Sequence, residues 1–168
     1  MATETHRKIL VAESAVDFDA NAAEIDGVAS GDMIWCAPIT TLGDCDLAEF
    51  FIKIKVGTLT AAGTINLYFA SSGDTRRVGQ DFATLTDHGE ATSDTVVAQL
   101  KQCLGGPVAV IGTTGDDDAK TFDVSFLVPD PGDNCQLFIY NGTGAAFASG
   151  GSEHGVRVRG LGPEFQDA

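Results

Sequence analysis

The chain has 168 residues, with ten Lys and Arg against 24 Asp and Glu and a net charge of −14. That length suits one domain, residues 1–168, able to bury roughly two-thirds of its unfolded surface without a metal or a disulfide. Bases this few and this scattered exclude a phosphate-reading surface, so no nucleic-acid partner is expected, and they argue against an anionic membrane as well.

Along the chain, short alternating runs predict strands. Residues 7–12 read as a short first strand within an N-terminal docking arm, residues 1–12. Residues 17–31 are rich in Asp and Ala and read as a loop with one short strand. Residues 33–39 are apolar, and Pro38 makes them an edge strand or a strand end. Over Leu47–Thr58, Phe50, Ile52, Ile54 and Val56 are expected inward, and Phe51, Lys53 and Lys55 outward. Residues 63–70 follow a short Gly-containing turn and are expected to close a hairpin with that strand. The polar stretch 71–95 decorates one end. Residues 96–104 suit a short helix, with the alternation Val96, Ala98, Leu100 keeping a strand open. Residues 108–112 form a short strand, and Asp116-Asp-Asp118 reads as a charged hairpin tip. Residues 121–128 set Phe122, Val124, Phe126 and Val128 against Thr121, Asp123, Ser125 and Leu127. A turn at 130–134, a strand at 135–141 and a last short strand around Val156 and Val158 follow. The tail, residues 160–168, is irregular.

Two segments look alike: 63–74 (GTINLYFASSGD) and 135–147 (CQLFIYNGTGAAF). In the first, Ile65, Leu67 and Phe69 share one face, opposite Thr64, Asn66, Tyr68 and Ala70. In the second, Cys135, Leu137 and Ile139 oppose Gln136, Phe138 and Tyr140. About eight such strands with Gly and Pro turns predict an all-β fold, a single antiparallel jelly-roll-like sandwich with an irregular N-terminal arm and C-terminal tail.

Chemistry is sparse in the sequence. His6, His88 and His154 are the available imidazole bases, and none neighbours a G-x-S-x-G elbow. Asp17-Phe-Asp-Ala-Asn21 opens like a calcium loop but then has Ala22 and Val28 where Gly and Glu belong. Asp116–Asp118 and the 130–134 turn read as solvated charge. Asn141-Gly-Thr143 reads as turn chemistry, not as a glycosylation site. Cys36, Cys45, Cys103 and Cys135 lack C-x-x-C spacing. Reduced thiols are expected, with a Cys36–Cys45 bridge the alternative. Sugar stacking would fall to Tyr68 and Tyr140, because Trp35 reads as core. No catalytic residue, cofactor or metal is expected. No apolar run reaches membrane-spanning length, and the polar start lacks a secretory signal, so synthesis in the cytoplasm without export is expected.

The order of these segments, closing with Gly151-Ser-Glu-His-Gly-Val-Arg-Val-Arg-Gly160, resembles small β-sandwich virion proteins of tailed bacteriophages. These are capsid decoration (cement) proteins or bases of head spikes, and the resemblance covers roughly the last two-thirds of the chain. It implies a non-enzymatic structural protein located in the virion. The implied partners are the major capsid protein and further copies of the chain, as a homo-oligomer such as a trimer at symmetry axes. The candidate partner contacts are His6, Arg7 and Lys8 in the arm, Phe147 near a loop tip and Phe165 in the tail. A carbohydrate- or receptor-binding module of a tail or head spike is the alternative.

Overall fold

The structure, a computed structural model, describes residues 7–18, 25–71, 89–115, 117–150 and 153–163. Its elements in chain order are β1 (Arg7–Ala15), β2 (Met33–Trp35), β3 (Leu47–Thr58), β4 (Gly63–Ser71), β5 (Gly89–Ala91), α1 (Asp94–Leu104), β6 (Ala109–Thr113), β7 (Ala119–Pro129), β8 (Cys135–Gly142) and β9 (Gly155–Pro163). One sheet has the order β1-β9-β3-β7 and the other β5-β2-β8-β4-β6, and their strand pairs are antiparallel.

The pairing is nested: β1 with β9, β2 with β8, β3 with β7 and β4 with β6. This is one long hairpin wound around a common core, the jelly-roll arrangement of two Greek keys. β5 and α1 are inserted between β4 and β6. The look-alike segments become β4 and β8, and they pair along their whole length from Thr64↔Gly142 to Ser71↔Cys135.

The alternation predicted for β3 holds: Phe50, Ile52, Ile54 and Val56 are buried, and Lys53 is exposed. Ile65, Leu67, Phe69, Leu137 and Ile139 meet them from the other sheet in the main core. Phe50 stacks on Phe126 at 5.3 Å between ring centroids and meets Phe69 edge-on at 5.9 Å. β7 is an edge strand, so its inward residues Phe122, Val124 and Phe126 are only partly covered.

β8 is buried on both faces, and α1 supplies the reason. The helix lays Val97, Leu100 and Leu104 on Met33, Tyr68, Ala70, Ala91 and Phe138, which point outward from the five-stranded sheet. The i, i+3, i+7 spacing puts the three helix residues on one stripe. An eleven-residue helix is marginal alone, so this packing holds it. Asp94 in the first turn and Lys101 in the last suit the helix dipole, and Gly105 ends it at φ 74°.

The structure departs from four sequence expectations in the fold. The tail is not irregular from residue 160, because β9 runs on to Pro163 and pairs there with β1, from Gly160↔Val11 to Pro163↔Arg7, while residues 164–168 lie outside the described residues. β3 and β4 form no hairpin: they lie in different sheets, and the link between them crosses the sandwich edge with Leu59 fully buried at the corner. The segment at Asp117 and Asp118 is not a hairpin tip, because it joins β6 to β7 across the sheets and bonds to both backbone groups of Leu59. Residues 7–12 are not a free arm. They belong to β1, which pairs with β9 through register shifts between Ile9 and Val11 and again between Val11 and Ser14.

Candidate functional site

Two of the three histidines, His6 and His88, lie outside the described residues. His154 has a buried side chain, 4% exposed, between β3 and the connection that precedes β9. Its Nδ1 accepts the Lys55 backbone N–H at 3.2 Å, and its Nε2 faces the Ala148 carbonyl at 2.7 Å. These partners assign the neutral tautomer protonated on Nε2. Asp26 Oδ1 lies 3.5 Å from the same nitrogen, while Asp26 Oδ2 accepts the Gly150 N–H at 3.1 Å. With both ring nitrogens occupied, His154 ties Ala148 to β3, and among the described residues neither nitrogen faces a nucleophile. Lys55 and Glu153 form an ion pair beside it.

Among the described residues, no group of three or more His, Cys, Asp or Glu side chains converges as a metal site. Asp19 and Asn21 of the calcium-like run, and Asp116, lie outside those residues. The four cysteines are unbridged. Burial pushes the Cys36 and Cys135 thiols up to about 12. Cys36 Sγ accepts the Leu137 N–H at 3.1 Å, so that thiol is part of the core's bonding.

The sugar-stacking residues are not free platforms. Tyr68 is 4% exposed beneath α1. The Tyr140 ring carries the Lys101 ammonium at 3.0 Å from its centroid, a cation–π contact. Trp35 is half-buried in the satellite cluster under the helix, not in the main core, and closes over Gly89.

The Asn-Gly-Thr run is a buried polar hub that the turn reading missed. Asn141 is 0% exposed and Thr143 1%. Asn141 Nδ2 donates to the Val28 and Ala145 carbonyls, both at 2.9 Å. Asn141 Oδ1 accepts from the Thr143 N–H at 3.1 Å and from its hydroxyl at 2.7 Å. The hub binds the 28–32 turn to the loop after β8.

The candidate partner contacts separate. His6 and Phe165 lie outside the described residues. Arg7 and Lys8 are in β1, and Lys8 is exposed at the sheet edge. Phe147 requires correction: it is 2% exposed, bridges to Val56 of β3 and sits in the main core. Its burial is complete within this chain, so it offers nothing to a partner.

The pairing register reveals a surface that the sequence alone does not. On the outer face of the four-stranded sheet, Ile9, Leu161, Leu47 and Pro129 lie side by side across all four strands. The next outward row is Arg159, Glu49 and Leu127. Leu127 is 55% exposed and Ile9 52%. Arg159 Nε donates to Glu49 at 2.6 Å and its guanidinium lies 5.1 Å from the Phe51 ring. Arg157 pairs with Glu13 at 2.9 Å, and Lys53 stands opposite Asp123. No protein-family model matches this chain, and a search of curated proteins finds no match.

Proposed function

We propose that the chain is a structural protein of a tailed-phage virion, a cement protein that binds the outside of the capsid shell and stabilises it through protein–protein contacts. The observation that carries this reading is the nested-pair jelly roll, an architecture used for capsid domains, built here around a fully packed core. Two of its buried polar clusters, at Asn141 and His154, hold loops in place. A cement protein works by presenting a rigid body to its partner, and it requires no reacting group. Fold alone supports many functions, so the resemblance in segment order supplies the phage context.

The edge carrying Arg7, Lys8 and β1 is the docking edge in this reading. An exposed base and exposed Ile9 and Leu10 at a sheet edge give an acidic shell both charge and apolar contact. The carbohydrate alternative draws no support from Tyr68 and Tyr140, which are covered.

The test is co-sedimentation of purified chain with undecorated capsids. Saturable binding that raises the shell's melting temperature is expected. Lys8→Glu with removal of residues 1–6 weakens it several-fold. Absence of binding to any shell, or glycan binding by a free monomer, overturns the proposal.

A further inference from the structure

Charge and apolar exposure together single out one face of the molecule. The outer side of the β1-β9-β3-β7 sheet carries the outward bases Lys53, Lys55, Arg157 and Arg159, against Glu13, Glu49, Asp123 and Glu153. Three of these bases already hold an intrachain carboxylate, and the fourth stands opposite one. That face is therefore neutral, and the net charge of −14 lies elsewhere on the chain. Two of the described clusters show where. Asp44, Asp46, Asp130 and Asp133 are exposed on loops that touch at one end of the sandwich. Asp32, Glu90 and Asp94 gather by the start of α1, where burial and mutual repulsion raise the first two carboxyls.

We infer that this neutral sheet face is a self-association surface, where a second copy of the chain packs sheet on sheet about a twofold axis. Copies of so acidic a protein repel one another through their loops and through the helix side. They escape that repulsion by meeting on the neutral face. There the row Ile9, Leu161, Leu47, Pro129 and the adjacent Leu127 provide apolar area at the end of the sheet next to Asp46 and Asp130, and the paired ions of the following rows cover the rest of the face. A face of four strands about 4.8 Å apart, over about eight residues of about 3.3 Å each, has a flat footprint of roughly 500 Å². Side-chain relief enlarges it toward the ~800 Å² per partner of a standard interface. Twofold pairing is the commonest symmetry for such a patch. The inference stands on the chain's own surface and does not depend on the virion reading.

Sedimentation equilibrium of the full chain, from about 1 to 200 µM, tests it at ~20 mM and ~500 mM salt. A reversible dimer is expected, tightening several-fold at high salt as loop repulsion is screened. Leu127→Asp and Lys53→Glu each weaken it at least about tenfold, and Asp123→Asn, which leaves Lys53 unmatched on the face, weakens it by less. Asp118→Asn removes the same charge off the face and has the smaller effect. Should a variant fail to fold, concentration-dependent hydrogen-exchange protection on β1, β9, β3 and β7 of the unaltered chain gives the same answer. The inference is overturned by a monomer in both salts, by a dimer that loosens as salt rises, or by a dimer indifferent to both disruptive variants. A chain that stays monomeric while those variants abolish capsid binding also overturns it, and assigns the face to the shell.

Discussion

Replacing Asn141 by Ala removes four side-chain hydrogen bonds from a site with no access to water. Two of the losses are partly made good. The Val28 carbonyl keeps the Phe147 N–H at 2.9 Å, and the Thr143 hydroxyl, released from Asn141, turns its one proton to the Ala145 carbonyl at 2.9 Å. The Thr143 N–H is left without a partner, and an unpaired buried donor costs about 1–3 kcal/mol. The remaining lost bonds, at about 1 kcal/mol each net, and the small cavity bring the expected loss to about 3–4 kcal/mol. For a chain of this size that lowers Tm by roughly 10 °C. Urea melts of the two proteins, with unchanged m, measure it directly. Asn141→Asp should be worse, because it turns a carboxylate oxygen toward the two carbonyls that the amide nitrogen now serves. A loss below about 1 kcal/mol in Asn141→Ala would show that the hub is a local turn and not the clasp between the 28–32 turn and the 143–147 loop.

The remaining predictions address other parts of the fold. Gly63→Ala should cost about 2 kcal/mol or more, because its Cβ would lie 2.6 Å from Thr143 Cα and against the Gly142 carbonyl, both backbone. Gly112→Ala, with open space around it, should stay within about 0.5 kcal/mol by the same melts. Cys36 and Cys135 hold their protons to about 12 in the fold, against 9.0 when unfolded. Above that unfolded value the unfolded chain has released protons that the fold retains. Stability is therefore intact below pH 9 and falls as pH rises from 9 toward 12, by up to about 1.4 kcal/mol per unit for each thiol. Cys36→Ala with Cys135→Ala should flatten that slope in pH-dependent melts. Asp32→Asn should raise Tm at pH 7, where burial and Asp94 oppose the charged carboxylate, and change it little below the ordinary Asp value of 3.8.

Much of the strand layer is legible from alternation. The inward faces of β3, β4, β7 and β8 follow from a period of two, and the helix from its three- and four-residue spacing. Pairing is a different matter. Periodicity says which face a residue takes, not which strand lies beside it. The short link at 59–62 reads as a hairpin because nothing local distinguishes a turn within a sheet from one that crosses between sheets. Leu59 is the one hint, an apolar residue where a hairpin turn would be solvated. Phe147 misleads for a related reason: small residues around it mimic a loop tip, while its backbone pairs with Val56. Asn141 and Thr143 look like turn formers, and their buried partners sit over a hundred residues away at Val28 or in the same loop. The apolar row of Ile9, Leu161, Leu47 and Pro129 draws one residue from each of four strands. Such a row exists only once the register is known.

Electron microscopy of the native particle tests the central claim most directly. The account predicts density for this jelly roll on the outer surface of the capsid, at regular positions on the shell lattice. Density for the chain on the tail, inside the shell, or on no particle at all would contradict it.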